Sequence, residues 1–321
     1  LKVYVVGAGA VGRYLGEALA ATGADIVYAP RAIGDVVAVE ADLAIVAVKA
    51  YDTAGAVQTL RRALGADSDA AILTPQNGVG NEEILASAFG PDRIVSGALT
   101  VPVEIDPEGR VVAANQGGLA LAPVGSVSHN WLVAALERSA IPVRVSDDYR
   151  ALKWSKLALN VIANASCAIL DVLPERLVEM RAVFALEIRA IRETRSVMLQ
   201  LGLAAIDLPR YPVRALFAAA TLPLPLARLA LARRIASGRG RKPPSLLLDL
   251  RAGGGRTEVA MLSGAVAAAG CTAGVPTPVS AAFARVLGEI AHSPELWPKY
   301  RERPEALLAE VMGGETDVHQ G

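Results

Sequence analysis

The sequence is poor in cysteine, in aromatic residues and in any excess of charge. Its 321 residues hold two cysteines, Cys167 and Cys271, far apart and without a CxxC or a histidine neighbour. That spacing argues against a disulfide framework or a zinc site and fits a reducing compartment. No metal site is expected. Aromatics make up 4% against 53% hydrophobic residues overall, so the core has to be aliphatic. The 32 basic and 32 acidic residues cancel to a net charge of +0, which gives nucleic acid nothing to recognise, and no such partner is expected. Long apolar runs are missing too, despite a mean hydropathy of +0.38. The most apolar stretch, 215–227, is interrupted by Pro223 and Pro225 and bounded by Arg214 and Arg228, too short and too broken to span a bilayer. The opening Leu1-Lys2-Val3-Tyr4-Val5-Val6 reads as a strand, without signal-peptide architecture. The expectation is a cytoplasmic protein with no membrane segment.

What is present is an alternation of β-rich and helical stretches over the first half. Strands are expected at 2–6, 25–29, 43–48 and 71–74, with helices at 11–22 and 53–63. Continuous apolar runs such as Ala44-Ile45-Val46-Ala47-Val48 suit strands covered on both faces. After 94–103, Asp106-Pro107-Glu108-Gly109 marks a hairpin turn, expected at the far side of the sheet. A helix at 131–138 and a strand at 143–145 close the first domain. Beyond Asp148 the strand patterns stop, and helices are expected at 149–170, 174–201, 258–269 and 277–291, with a loop-and-helix excursion over 222–244. The fold class is therefore α/β: an N-terminal Rossmann-type doubly wound sheet (1–147) followed by an all-helical C-terminal substrate domain (148–321).

Directly after the first strand stands Gly7-Ala8-Gly9-Ala10-Val11-Gly12, opening a helix. The first glycine allows the tight turn, the second lets the backbone approach a pyrophosphate, and the third lets helix and strand pack closely. The helix N-terminus then offers unpaired N–H groups to the phosphates. At the end of the second strand, where NAD enzymes place an acid for the ribose, the chain reads Tyr28-Ala29-Pro30-Arg31. With no acid there, Arg31 suits a 2′-phosphate and the expected cofactor is NADPH; the bland alternative is a solvated surface arginine. Asp35 is the remaining candidate for a ribose acceptor.

Lys156, Asn160 and Asn164 recur at i, i+4 and i+8 in an otherwise apolar stretch. In one continuous helix they would share a face. Such polar groups need a polar partner, either a substrate or an internal network. Lys153, one turn earlier, is the rival for a catalytic role.

Taken together, Gly7–Gly12, Val48-Lys49-Ala50-Tyr51-Asp52-Thr53, Gln76-Asn77-Gly78-Val79-Gly80-Asn81-Glu82-Glu83, Trp154-Ser155-Lys156-Leu157-Ala158-Leu159-Asn160, and Pro244-Ser245-Leu246 followed by Thr257-Glu258-Val259 resemble the ketopantoate reductase family in order and spacing over nearly the whole chain. The resemblance implies reduction of an α-keto acid by nicotinamide hydride, with a lysine ammonium polarising and protonating the developing alkoxide. It implies Lys156 as the catalytic lysine and Glu258 as the active-site carboxylate. It implies Asn160, Asn164 and Ser245 as substrate-holding groups, Lys49 and Asn77 as cofactor-cleft residues, and Arg31 as the 2′-phosphate contact. Read singly, Asn77-Gly78 is also a plain turn, Lys49 a strand-end charge, and Glu258 an acid at a helix start.

The chain departs from the family pattern in several places. Between Arg31 and Leu43 it lacks the longer excursion common there. Ala260 and Ser263 stand where an Asp and an Asn are usual, Gly253-Gly254-Gly255 precedes them, and Pro174 replaces an Asn of some members. The arginine-rich stretch 233–242 offers a cationic rim suited to a larger or more anionic acid. Three readings follow: reduction of 2-dehydropantoate with NADPH, reduction of another 2-oxo acid, or a catalytically silent dinucleotide-binding sensor. Oligomeric state is open, with the apolar helical domain as the candidate homodimer face.

Overall fold

The computed structural model describes residues 1–114, 116–237 and 243–318, and resolves two compact units. The first comprises Leu1–Lys156 and Ile206–Pro212, the second Leu157–Ala205 and Val213–Gly321.

In the first unit the chain runs β1 (Lys2–Val6), α1 (Ala10–Ala20), β2 (Asp25–Tyr28), β3 (Leu43–Val46), α2 (Thr53–Leu64), β4 (Ala71–Thr74), α3 (Asn81–Phe89) and β5 (Ile94–Leu99). After these come β6 (Val103–Ile105), β7 (Val111–Ala113), β8 (Leu119–Pro123), α4 (Asn130–Arg138) and β9 (Val143–Val145). The seven-stranded sheet has the order β2-β1-β3-β4-β5-β8-β9. All neighbours pair in parallel except β5 with β8. Alternate residues of the central strands β1 and β3 enter opposite cores. Val3, Val5 and Leu43 face one layer with Leu15 and Leu19 of α1 and Leu132 and Leu136 of α4. Tyr4, Val6 and Ala44 face the other with Val57 and Leu60 of α2 and Leu85 of α3. Both faces are covered, which is why these strands read as unbroken apolar runs.

The chain leaves β1 for β2 on one side, then crosses to β3 on the other. That reversal makes the carboxyl ends of β1 and β3 a topological switch point, where open α/β sheets bind ligands. The hairpin expected at the far side of the sheet is instead a separate two-stranded pair, β6 with β7. Its Val103 and Ala113 pack on the core layer that holds α1. Its turn forms as the sequence indicates, with Gly109 at φ 82°. The far edge is made by β8 and β9. Residues 206–212 return to this unit because Ser155 Oγ receives the Ile206 N–H at 2.8 Å and Arg144 holds the Asp207 carbonyl at 2.6 Å.

A helix α5 (Tyr149–Asn160) leads out of the first unit. The second contains α6 (Ala165–Leu170), α7 (Pro174–Glu179), α8 (Arg181–Gln200), α9 (Val213–Thr221) and α10 (Leu224–Ser237). It continues with α11 (Ser245–Arg251), α12 (Ser263–Ala273), α13 (Pro278–His292) and α14 (Pro304–Val318). The long α8 is the hub, with Val183, Phe184, Ile188, Ile191 and Val197 buried. No described helix is long and apolar enough to cross a membrane. Part of the expected cationic rim, residues 238–242, lies outside the described residues.

Two carboxylates are buried on α8, and both hold other segments in place. Glu193 caps α13, accepting from Val279 N at 2.9 Å and from Ser280 N and Oγ at 2.8 and 2.7 Å. Burial raises its carboxyl above the ordinary 4.5, against the lowering effect of these donors. The native state therefore holds a proton that the unfolded chain has lost, in the window between 4.5 and the raised value. Stability is full below that window and falls as pH rises through it. Thermal melts from roughly pH 4 to roughly pH 7 are expected to show wild type losing stability relative to Glu193→Gln, which cannot ionise. Parallel curves for the two proteins would contradict this.

Candidate active site

The glycine turn sits at the switch point and its geometry leaves no freedom at two positions. Gly7 has φ +107°, and a Cβ there would lie 2.6 Å from the Ala47 carbonyl carbon and the Val48 nitrogen. A Cβ on Gly12 would lie 2.0 Å from the Gly7 oxygen. Gly9 differs: nothing stands within 4 Å of its Cβ position. It is the N-cap of α1, with no side-chain cap and no acid in the first turn. The N-terminus of α1, where Ala8, Ala10 and Val11 flank Gly9, thus keeps open space at the Gly9 Cβ position, with the positive end of the helix dipole behind it. That is the arrangement a pyrophosphate needs. The residues present fit a dinucleotide.

Arg31 is exposed just beyond β2. The short segment after it makes a 3-10 turn, Ile33–Asp35, that leaves Asp35 exposed. Arg62 of α2 braces it, donating to the carbonyls of Val36 and Gly34 at 3.1 and 3.2 Å.

Lys49 and Asn77 follow the adjacent strands β3 and β4, so the parallel register brings them to the same sheet edge as Gly7. A polar network beneath them fixes this edge. Gln76 donates to the Val48 carbonyl at 3.0 Å and to Thr53 Oγ1 at 2.9 Å, and accepts from Thr74 Oγ1 at 2.9 Å. Thr53 Oγ1 lies 2.8 Å from Asn81 Oδ1, and Asn81 Nδ2 donates to the Asn77 carbonyl at 3.1 Å. Lys153, the rival lysine, is consumed in this network. It is 2% exposed and ion-paired to Glu82 at 3.1 Å, and it also donates to the Gln76 carbonyl. Lys156, by contrast, is only half-buried.

The continuous helix expected over 149–170 does not form. α5 ends at Asn160, Ala163 takes a left-handed φ of 47°, and α6 starts at Ala165. The cause is Glu187 of α8, fully buried, which receives the Ala163 N–H and the Ser166 hydroxyl, each at 2.5 Å. These two bonds reward a backbone break that helix propensity alone would not choose. The expected three-residue stripe is therefore corrected. Lys156 and Asn160 share a face of α5 one turn apart, whereas Asn164 is the N-cap residue of α6. Its side chain joins three segments: Nδ2 donates to the Asn160 carbonyl at 3.0 Å and to Ser245 Oγ at 3.4 Å, and Oδ1 accepts from Leu246 N at 3.1 Å. Asn160, Asn164 and Ser245 are thus brought together within the second unit.

Glu258 is 5% exposed. It begins a 3-10 turn, Glu258–Met261, packed on α12 and α13. The helix expected from Glu258 starts only at Ser263, because Leu262 leaves helical geometry (φ −111°, ψ −98°). Ala260 is exposed, Ser263 is buried at the start of α12, and Pro174 is buried in the first turn of α7. Among the described residues, no group of three or more His, Cys, Asp or Glu side chains is placed to hold a metal ion.

A doubly wound sheet with an open glycine turn at its switch point, followed by a helical unit, defines a dinucleotide-binding protein. Two family models match the chain: ketopantoate reductase PanE/ApbA over residues 27–126, and its C-terminal counterpart over residues 148–291. The chain belongs to the ketopantoate reductase family. It is 31% identical over 239 residues to a 2-dehydropantoate 2-reductase of Halobacterium salinarum, covering 72% of this chain and 69% of that protein. A 2-dehydropantoate 2-reductase of Archaeoglobus fulgidus is 27% identical over 304 residues, covering 87% and 94%. The crystal structure of a PanE/ApbA family ketopantoate reductase from Ralstonia eutropha superimposes with a TM-score of 0.75 at 28% identity, over 92% of this chain and 100% of that one.

Proposed function

We propose that this protein uses NADPH to reduce a 2-oxo acid, with 2-dehydropantoate, reduced to pantoate for pantothenate and coenzyme A synthesis, as the first substrate. The observation that carries this reading is the half-buried Lys156 on α5, one turn before Asn160 and the Asn164–Ser245 cluster, in a chain whose relatives bear that activity. A nicotinamide cofactor held at the Gly7–Gly12 turn would supply the hydride. The Lys156 ammonium donates a hydrogen bond to the ketone oxygen, stabilises the negative charge that grows there, and gives up a proton to make the hydroxyl. Glu258 serves as the active-site carboxylate that positions substrate and lysine. The amide of Asn160 and the hydroxyl of Ser245 hold the acid, and Asn164 holds both in register. Lys49 and Asn77 line the cofactor side.

A panel of 2-oxo acids assayed with NADPH and with NADH tests the substrate. Fastest turnover of 2-dehydropantoate supports the assignment, and faster turnover of another acid moves it to that acid. The altered positions Ala260 and Pro174 favour the second outcome as the main alternative. For the cofactor, a guanidinium–phosphate contact contributes about 1.5–3 kcal/mol. Arg31→Ala is accordingly expected to weaken NADPH binding about 10- to 100-fold and NADH binding about twofold or less. Equal weakening of both, measured by fluorescence titration, would remove the 2′-phosphate contact assigned to Arg31.

A further inference from the structure

The Lys153–Glu82 ion pair is almost fully inaccessible, at 2% and 1% exposure. Burying two charges is an inefficient way to gain stability, because desolvation offsets most of their attraction. What the pair connects is more informative. Glu82 lies in the first turn of α3, at the end of the loop that begins with Asn77. Ser96 Oγ of β5 donates to it at 2.8 Å. Lys153 lies on α5, three residues before Lys156. Its ammonium also donates to the carbonyl of Gln76, the residue before Asn77, and reaches the Gly97 carbonyl at 3.5 Å. Through the Gln76 side chain the same network holds the Val48 carbonyl, next to Lys49. A second tie between the two helices runs from the Tyr149 hydroxyl to Glu83 at 3.3 Å.

We propose that Lys153 and Glu82 are positioning residues for the reaction. They lock the turn of α5 that carries Lys156 to the loop that carries Asn77, so that the proton donor and the cofactor-side residues keep one geometry. This rests on the roles of Lys156 and Asn77 proposed above. A small displacement is enough to matter, since misplacing a reacting group by about 1 Å costs on the order of 100-fold in rate.

A merely structural cross-link and a positioning one differ in what an apolar replacement restores. Lys153→Met alone strands a buried carboxylate and is expected to lower both Tm and kcat. Lys153→Met with Glu82→Met replaces both charges by chains of similar length, and its Tm is expected to return to within about 5 °C of wild type. Its kcat with the best 2-oxo acid is expected to stay at least about tenfold down, with KM and cofactor Kd moving less than about threefold. A double variant with wild-type kcat would overturn the proposal. If the double variant does not accumulate folded, Ser96→Ala takes its place, removing only the hydroxyl that orients Glu82. There kcat is expected to fall about threefold at nearly unchanged Tm, and an unchanged kcat is the contrary result. Amide hydrogen exchange over residues 77–83 gives a readout that needs no substrate. Faster exchange is expected in the variant used, and unaltered protection would overturn the positioning role. Absence of 2-oxo acid turnover by wild type counts against the proposed function alone.

Discussion

Lys156→Ala is expected to lower kcat by about 1000-fold while leaving the cofactor Kd within about threefold of wild type. The size follows from two roles in one group. A positioned donor to a developing oxyanion contributes about 100- to 1000-fold, and general-acid proton transfer about 100- to 10,000-fold. The two are not independent when a single ammonium performs both, so the combined loss is smaller than their product. Lys156→Arg separates them. The guanidinium keeps the charge but does not release its proton near neutral pH, so partial recovery at most is expected. Steady-state kinetics together with cofactor titration checks both variants. A Lys156→Ala protein with wild-type kcat on every 2-oxo acid would remove this lysine from the reaction.

The second large effect concerns the glycine turn. Gly12→Ala places a methyl group 2.0 Å from the Gly7 carbonyl oxygen and 3.2 Å from Ala47 Cβ, a backbone atom and a side chain without a rotatable bond, so nothing can swing aside. α1 has to move off β1, at an overpacking cost of about 1–3 kcal/mol. The first-turn N–H groups move with it. Tm is expected to fall, and dinucleotide affinity to drop by about 100-fold or more, as several charge-assisted hydrogen bonds lose alignment together. Gly9→Ala is the contrasting case. Its methyl group meets no protein atom within 4 Å, so the fold is expected to keep its Tm and lose only affinity. Differential scanning calorimetry beside fluorescence titration reads the two quantities separately. Gly9→Ala binding the dinucleotide as wild type does would show that the open space above α1 is not the phosphate site.

The parts of this fold that sequence reveals are those where local pattern and burial agree. β1, the glycine turn, α1 and α2 are legible because apolar periodicity, caps and breakers all point the same way. α3 is not, because the face it buries includes Asn81 and Glu82, and polar residues hide an amphipathic pattern. β8 escapes because Leu119-Ala120-Leu121-Ala122 carries neither β-branched residues nor a polar alternation. The break after Asn160 is dictated from 24 residues away by Glu187, which no local window contains. The same holds for the return of residues 206–212 to the first unit.

For the candidate site, residue identity was easier to read than residue role. Helical spacing leaves both Lys153 and Lys156 as candidates, and the Trp154–Asn160 block points to Lys156; burial adds a physical difference, with Lys153 locked to Glu82 and Lys156 half-buried on the next turn. Asn164 was visible as a polar residue in an apolar stretch. That its amide bridges Asn160, Ser245 and Leu246 depended on the helix break. Sequence spacing placed Lys156, Asn160 and Asn164 on one continuous helix, and the backbone breaks between the last two.

Hydride transfer from NADPH to a 2-oxo acid can be measured directly. Purified protein is mixed with NADPH and 2-dehydropantoate, and loss of reduced-nicotinamide absorbance is followed alongside chromatographic detection of pantoate. Cofactor is expected to be consumed one-for-one with the 2-hydroxy acid formed. Protein that binds NADPH yet consumes none with 2-dehydropantoate or any other 2-oxo acid would contradict it, and would mark the chain as a dinucleotide-binding module without this chemistry.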